Sequence, residues 1–97
     1  MKLITEKKMI KYLDLTTRAL KKVKIEKNLS KKDLKRAKIY LEMSKNFLSD
    51  AKHFKKEGNW VNAFAAVNYS HAWLDAGAIS ELFDVDKDNI IFTVDSD

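Results

Sequence analysis

Cysteine and proline are both absent from the 97 residues, and glycine occurs only at Gly58 and Gly77. Without cysteine there is neither a disulfide framework nor a thiolate metal site, and the composition suits a reducing, cytoplasmic setting. Without proline, nothing inside the chain forces a helix to break except at the two glycines. No run of apolar residues is long enough to span a bilayer, and the lysine-rich start lacks the apolar segment of a signal peptide, so no membrane partner is expected. Residues 1–97 have the length of a single domain, able to bury roughly 60 to 70% of the surface an unfolded chain exposes.

What the chain has in excess is charge, unevenly placed. Residues 1–58 carry 18 of the 19 Lys and Arg and seven acids, a net of +11, whereas residues 59–97 carry one lysine and seven acids, a net of −6. The overall charge of +5 therefore belongs to a strongly polarised molecule.

Apolar residues recur at steps of three and four, which predicts an all-α fold. Helix one covers about 5–27, capped by Thr5 and burying a stripe from Met9 through Tyr12, Thr16 and Ala19 to Val23. A turn at 28–30 follows, and Ser30 with Asp33 forms a short-armed capping box that opens helix two, about 31–57. Leu34, Ala37, Leu41, Ser44, Leu48 and Ala51 make its buried stripe, flanked by Tyr40, Phe47 and Phe54 at steps of seven. Gly58 supplies a left-handed C-cap and Asn59 caps helix three, about 60–83, giving a tight antiparallel hairpin. The expected architecture is an antiparallel up-down three-helix bundle with a short extended C-terminal tail, 84–97.

Helix three is apolar on most sides. One face gathers Trp60, Ala63, Phe64, Val67, His71 and Leu74, and a second gathers Ala65, Ala66, Tyr69, Ala72, Trp73 and Ala76. The first two helices are expected to cover the first face only. The tail, with Ile90, Ile91, Phe92 and Val94 in a β-prone run, and a second copy of the chain are the two candidates for covering the other. We expect the tail to cover part of that face and a homodimer to complete the covering, with Tyr69, Trp73 and Ala76 as the candidate interface.

The segment from Tyr40 to Val85 resembles the archaeal domain of unknown function 357 family of small helical bundles. The residues carrying the resemblance are Ala51, Phe54, Gly58, Asn59, Trp60, Ala63 and Phe64 around the hairpin, then Tyr69 and Trp73 to Gly77, then Leu82 and Phe83 before an extended Phe92-Thr93-Val94. The resemblance implies an archaeal cytoplasmic protein and brings no catalytic residue with it. The hairpin also looks like one tetratricopeptide helix pair, but such arrays need about three or more repeats and no second copy is present.

Four candidate sites arise. His71 has Asp75 one turn away and Ser70 beside it, the elements of a nucleophile dyad, yet Ser70 projects about 100° from His71 and no oxyanion loop accompanies them, so we read His71 as packing. Asp50 and His53 give a single DxxH where a di-metal bundle needs several, and neither arginine is followed by a nearby histidine as in helical ribonucleases of the HEPN type. Asp84, Asp86, Asp88, Ile91 and Asp95 fall at calcium-loop spacing, but Asn89 replaces the turn glycine and no helix follows, so an acidic turn is the reading and no cofactor is expected. The fourth is a basic patch of Arg18, Lys21, Lys22, Lys24, Lys31, Lys32, Lys35 and Arg36. It lacks interleaved aromatics and a nucleic-acid motif. The expected function is a non-enzymatic interaction or adaptor module, its lysines facing an acidic protein partner; the alternative is a nucleic-acid accessory protein that binds phosphates without reading sequence.

Overall fold

The structure, a computed structural model, describes residues 6–85. Three helices dominate it: α1 (Glu6–Lys22), α2 (Lys31–Lys56) and α3 (Trp60–Ile79), with a two-residue strand β1 (Lys24–Ile25) after α1 and another, β2 (Phe83–Asp84), after α3. The all-α reading holds, and the helices pack closely, α2 against α3 most extensively. None of the described helices is long and apolar enough to cross a membrane. Thr5 and the tail beyond Val85 lie outside the described residues.

Local chemistry sets each helix end. Ser30 accepts a hydrogen bond from the Asp33 amide at 3.1 Å, which starts α2 as its sequence predicts. The other half of the expected box does not close, because the Asp33 carboxylate turns instead to Arg36 at 3.3 Å. At the far end Gly58 adopts φ 76°, and the amides of Gly58 and Asn59 donate back to the carbonyls of Lys55 and Phe54 at 3.0 and 2.9 Å. That pair of bonds is the Schellman arrangement. The Asn59 side chain accepts from the Asn62 amide at 3.2 Å, so one residue finishes α2 and caps α3.

Two helices are shorter than the periodicity predicts. α1 stops at Lys22 rather than near residue 27, because Val23 and Ile25 prefer an extended chain and turn inward while Lys24 points out. The ladder places Lys24 opposite Asp84 and Ile25 opposite Phe83, and the Glu26 amide donates to the Leu82 carbonyl at 2.9 Å. α3 stops at Ile79 rather than 83. A second Schellman turn closes it, with Glu81 at φ 61° and the Leu82 amide donating to the Gly77 carbonyl at 2.8 Å. Holding glutamate in the left-handed region costs on the order of 1 kcal/mol, offset by burial of Leu82 and Phe83, each at most 3% exposed.

The core lies in two apolar clusters. One gathers Ala19, Ala37, Leu74, Leu82 and Phe83; the other gathers Leu48, Ala51, Ala66 and Val67. Gly77 belongs to the first, because the Phe83 ring occupies the space a β-carbon at position 77 would need. Alanine is worth about 1 kcal/mol over glycine in a helix interior, but overpacking costs typically 1–3 kcal/mol. Gly77→Ala is therefore expected to lower stability by about 1 kcal/mol or more in urea unfolding, and Phe83→Leu in the same chain to recover part of the loss. A Gly77→Ala variant more stable than the parent would contradict this packing.

Candidate functional site

Between the two apolar clusters, each helix contributes one or two polar side chains to a common layer. Thr16 of α1 and His71 of α3 meet through Oγ1 and Nδ1 at 3.0 Å. Ser70 Oγ of α3 donates to the Ser44 carbonyl of α2 at 2.7 Å, and the two serine hydroxyls lie 3.1 Å apart. Thr16, Ser44 and Ser70 are at most 1% exposed and His71 is 8% exposed. On the other side of the imidazole, Nε2 is 3.6 Å from Asp75 Oδ1.

The order Thr16, His71, Asp75 has the sequence of parts of a nucleophile relay, and it uses a residue that periodicity assigns to the apolar stripe of helix one. The serine expected beside His71 points elsewhere: Ser70 faces α2, as its 100° offset requires. Thr16 is enclosed by the bundle, so its hydroxyl is directed at the imidazole and at no opening to solvent. Chemically the layer can hold three helices in register; an acyl-transfer reading would need the hydroxyl and an oxyanion donor to share an accessible space. Among the described residues no group of three or more His, Cys, Asp or Glu could hold a metal ion. His53 pairs with Glu57 at 3.3 Å. Of the calcium-spaced acids only Asp84 is described, in β2 opposite Lys24; Asp86, Asp88 and Asp95 lie outside the described residues.

The second face of α3 is covered further than expected. α2 reaches it through its aromatic series: Tyr40 meets Trp73 edge-on at 5.0 Å and Phe47 lies against Tyr69 at 5.3 Å. Trp73 and Ala76 are half-buried, and Ala66 is buried. Tyr69 remains 59% exposed, and Val61 and Ile79 more so. The helix from Trp60 to Ile79 contains no lysine or arginine, and its one carboxylate is Asp75. Val61, Ala65, Asn68, Ala72, Asp75 and Ile79 follow one another at steps of four and three, a seam with the coiled-coil period.

All eight predicted basic-patch residues are exposed. Arg18 and Arg36 are each held by an acid of their own helix, Asp14 and Asp33, at 3.3 Å. Five of the six lysines divide between two places, Lys32 lining neither. Lys21, Lys22 and Lys24 line a groove of about 350 Å3 with Asp84 and Val85. Lys31 and Lys35 line another, about 380 Å3, with Leu34, Lys38, Ile39 and Glu42 of the same helix. Leu34, which the periodicity places in the buried stripe, is thus exposed.

A family model described as a protein of unknown function (DUF357) matches residues 11–83. No curated protein and no solved structure matches the chain.

The layer makes a stability prediction. Thr16→Val removes the partner of a buried imidazole nitrogen and is expected to cost about 1–3 kcal/mol. His71→Leu in the same chain removes the other partner, so the double variant should be more stable than the two single losses summed, by about 1 kcal/mol, in a denaturation cycle. Strict additivity would show that the two side chains do not interact.

Proposed function

The chain belongs to the DUF357 family, and we propose that this member is a non-enzymatic interaction module that associates with itself through α3. The supporting observation is the α3 seam, which carries no lysine or arginine and a single carboxylate, Asp75. A solvated helix face ordinarily carries charge at most exposed positions, yet Val61, Ala65, Asn68, Tyr69, Ala72 and Ile79 are exposed and uncharged.

Charge and size favour one orientation. In an antiparallel pair centred on Ser70, Val61 faces Ile79 of the other copy, Ala65 faces Asp75, and Asn68 faces Ala72. Large apolar groups then meet at the ends and small ones at the crossing, where alanine permits the close end of the 8–10 Å range of helix spacing. A parallel pair would set the two Asp75 carboxylates side by side and align the two helix dipoles. Tyr69 borders the seam. Trp73, by contrast, serves the fold through Tyr40, and Ala76 lies half-covered at the margin.

The basic surface supports a second reading, as a phosphate-binding accessory to nucleic acid, on the observation that Lys21, Lys22 and Lys24 converge on one groove. An acidic protein partner would use the same charges. We place the module in an archaeal cytoplasm, on the family resemblance and the absence of cysteine.

Sedimentation should find the parent chain as a dimer at high concentration and Ala72→Glu as a monomer of unchanged melting temperature, because Ala72 is exposed and glutamate tolerates helix. Trp73→Ala should instead lower the melting temperature, through loss of the Tyr40 contact. A parent that stays monomeric at high concentration sinks the self-association reading. Nucleic-acid binding that weakens steeply between low and moderate salt supports the second reading; no binding at low salt removes it.

A further inference from the structure

His71 and Asp75 join the buried polar layer to the α3 seam. Asp75 stands on the seam between Ala72 and Ile79, half-buried, and His71 lies in the layer behind it. Nε2 of His71 and Oδ1 of Asp75 face each other at 3.6 Å, and both atoms are shut off from solvent. That spacing is long for a hydrogen bond and well within the range at which opposite charges favour each other. What exposure Asp75 keeps therefore belongs to the rest of its side chain, on the surface that a second copy would cover.

The charged and titratable groups around this pair have other partners or face solvent. α1 meets the imidazole with the neutral Thr16 hydroxyl; Asp14 and Arg18 pair with each other, the Tyr12 ring meets Phe64, and Lys21 and Lys22 line the groove with Asp84 of β2. α2 meets the layer with the neutral Ser44; its Tyr40 ring meets Trp73, and Glu42 and Lys45 are exposed. The second copy adds no cation, because its α3 has none and the antiparallel pairing sets Ala65 against Asp75. The two Asp75 carboxylates of such a dimer stand about 15 Å apart along the helix axis, beyond a screening length of about 8–10 Å. Association thus takes water from a carboxylate and offers it nothing in return. An imidazolium behind it compensates that loss. Thr16 accommodates the extra proton, since a hydroxyl donates to a bare Nδ1 and accepts from Nδ1–H.

We propose that His71 links self-association through α3 to proton uptake: closing the seam over Asp75 draws a proton onto the imidazole, so the dimer strengthens as pH falls. This rests on the self-association reading. At low pH the imidazole is charged in both monomer and dimer, and association has its full strength. As pH rises, the dimer either holds a proton the monomer has released or covers an uncompensated carboxylate, and both weaken it. Repulsion between two copies of net charge +5 grows as pH falls and acts in the opposite direction, so the sign of the effect separates the two.

Sedimentation equilibrium of the full chain from about pH 8 to about pH 5.5, within the range where imidazoles change charge, tests the link. The dimer dissociation constant of the parent is expected to fall several-fold across that interval. Asp75→Asn keeps the shape and removes the charge, so its constant should be flat in pH and, at pH 8, several-fold tighter than the parent's. His53→Gln alters the other histidine, exposed beside Glu57, and should keep the parent's slope. In NMR titrations of the parent, the midpoint of the His71 ring should rise when the protein is concentrated from monomer to dimer, while that of His53 stays in place. A parent dimer with a constant flat in pH overturns the link and leaves self-association standing; a parent that is monomeric at every pH overturns both. An Asp75→Asn dimer that keeps the parent's slope, or a His71 midpoint that ignores concentration, also overturns the link. Circular dichroism across the pH range confirms that the helices persist in each variant.

Discussion

Four polar side chains at mid-height fix how the three helices align. Thr16 reaches His71 across the α1–α3 interface, and Ser70 reaches Ser44 across the α2–α3 interface. Apolar packing alone tolerates sliding, because one alanine or leucine resembles the next one turn away. A buried hydroxyl does not: leaving one without a partner costs about 1–3 kcal/mol, against a total stability of about 5–15 kcal/mol for a small domain. Displacing any helix by a turn would strand at least one of these groups. The clusters above and below the layer can therefore include small residues, Ala19, Ala37, Ala51 and Ala66, without losing their alignment.

With the register set, α3 becomes the axis of the molecule. It takes the Tyr12 edge against Phe64 from α1 and the Tyr40 and Phe47 rings from α2. What remains of its surface carries no lysine or arginine and one carboxylate, Asp75, while α2 carries the cationic groove on a separate flank. The polarity seen in the composition becomes two different surfaces: one suited to a like surface without repulsion, the other suited to acidic chemistry.

The periodicity revealed the helices, their order and the α2–α3 hairpin, because each of those rests on neighbours in sequence: Ser30 and Asp33, or Gly58 and Asn59. It also displayed Tyr40, Phe47 and Phe54 as a seven-residue series, although their role in covering the second face of α3 emerges only from the packing. The early ends of α1 and α3 were harder to read. Val23 continues an acceptable helical stripe, and only pairing of the residues just after it with Phe83 and Asp84, some sixty residues away, makes the extended form preferable. Thr16 and Ser44 occupy positions in apolar stripes, so nothing local distinguishes them from spacers. Their partners, His71 and Ser70, are adjacent in sequence and serve different helices, a division that depends on the 100° between them. Gly77 was visible as an anomaly inside a helix, but the ring that requires it lies six residues on, past a turn that glutamate rather than glycine makes.

Asn59 closes one helix with its amide and opens the next with its side chain, leaving the hairpin no spare residue. Such a joint behaves as an index pin. One inserted residue would rotate everything beyond it by about 100°, swinging His71 and Ser70 away from Thr16 and Ser44 together. This corner can therefore vary in sequence only while it keeps its count.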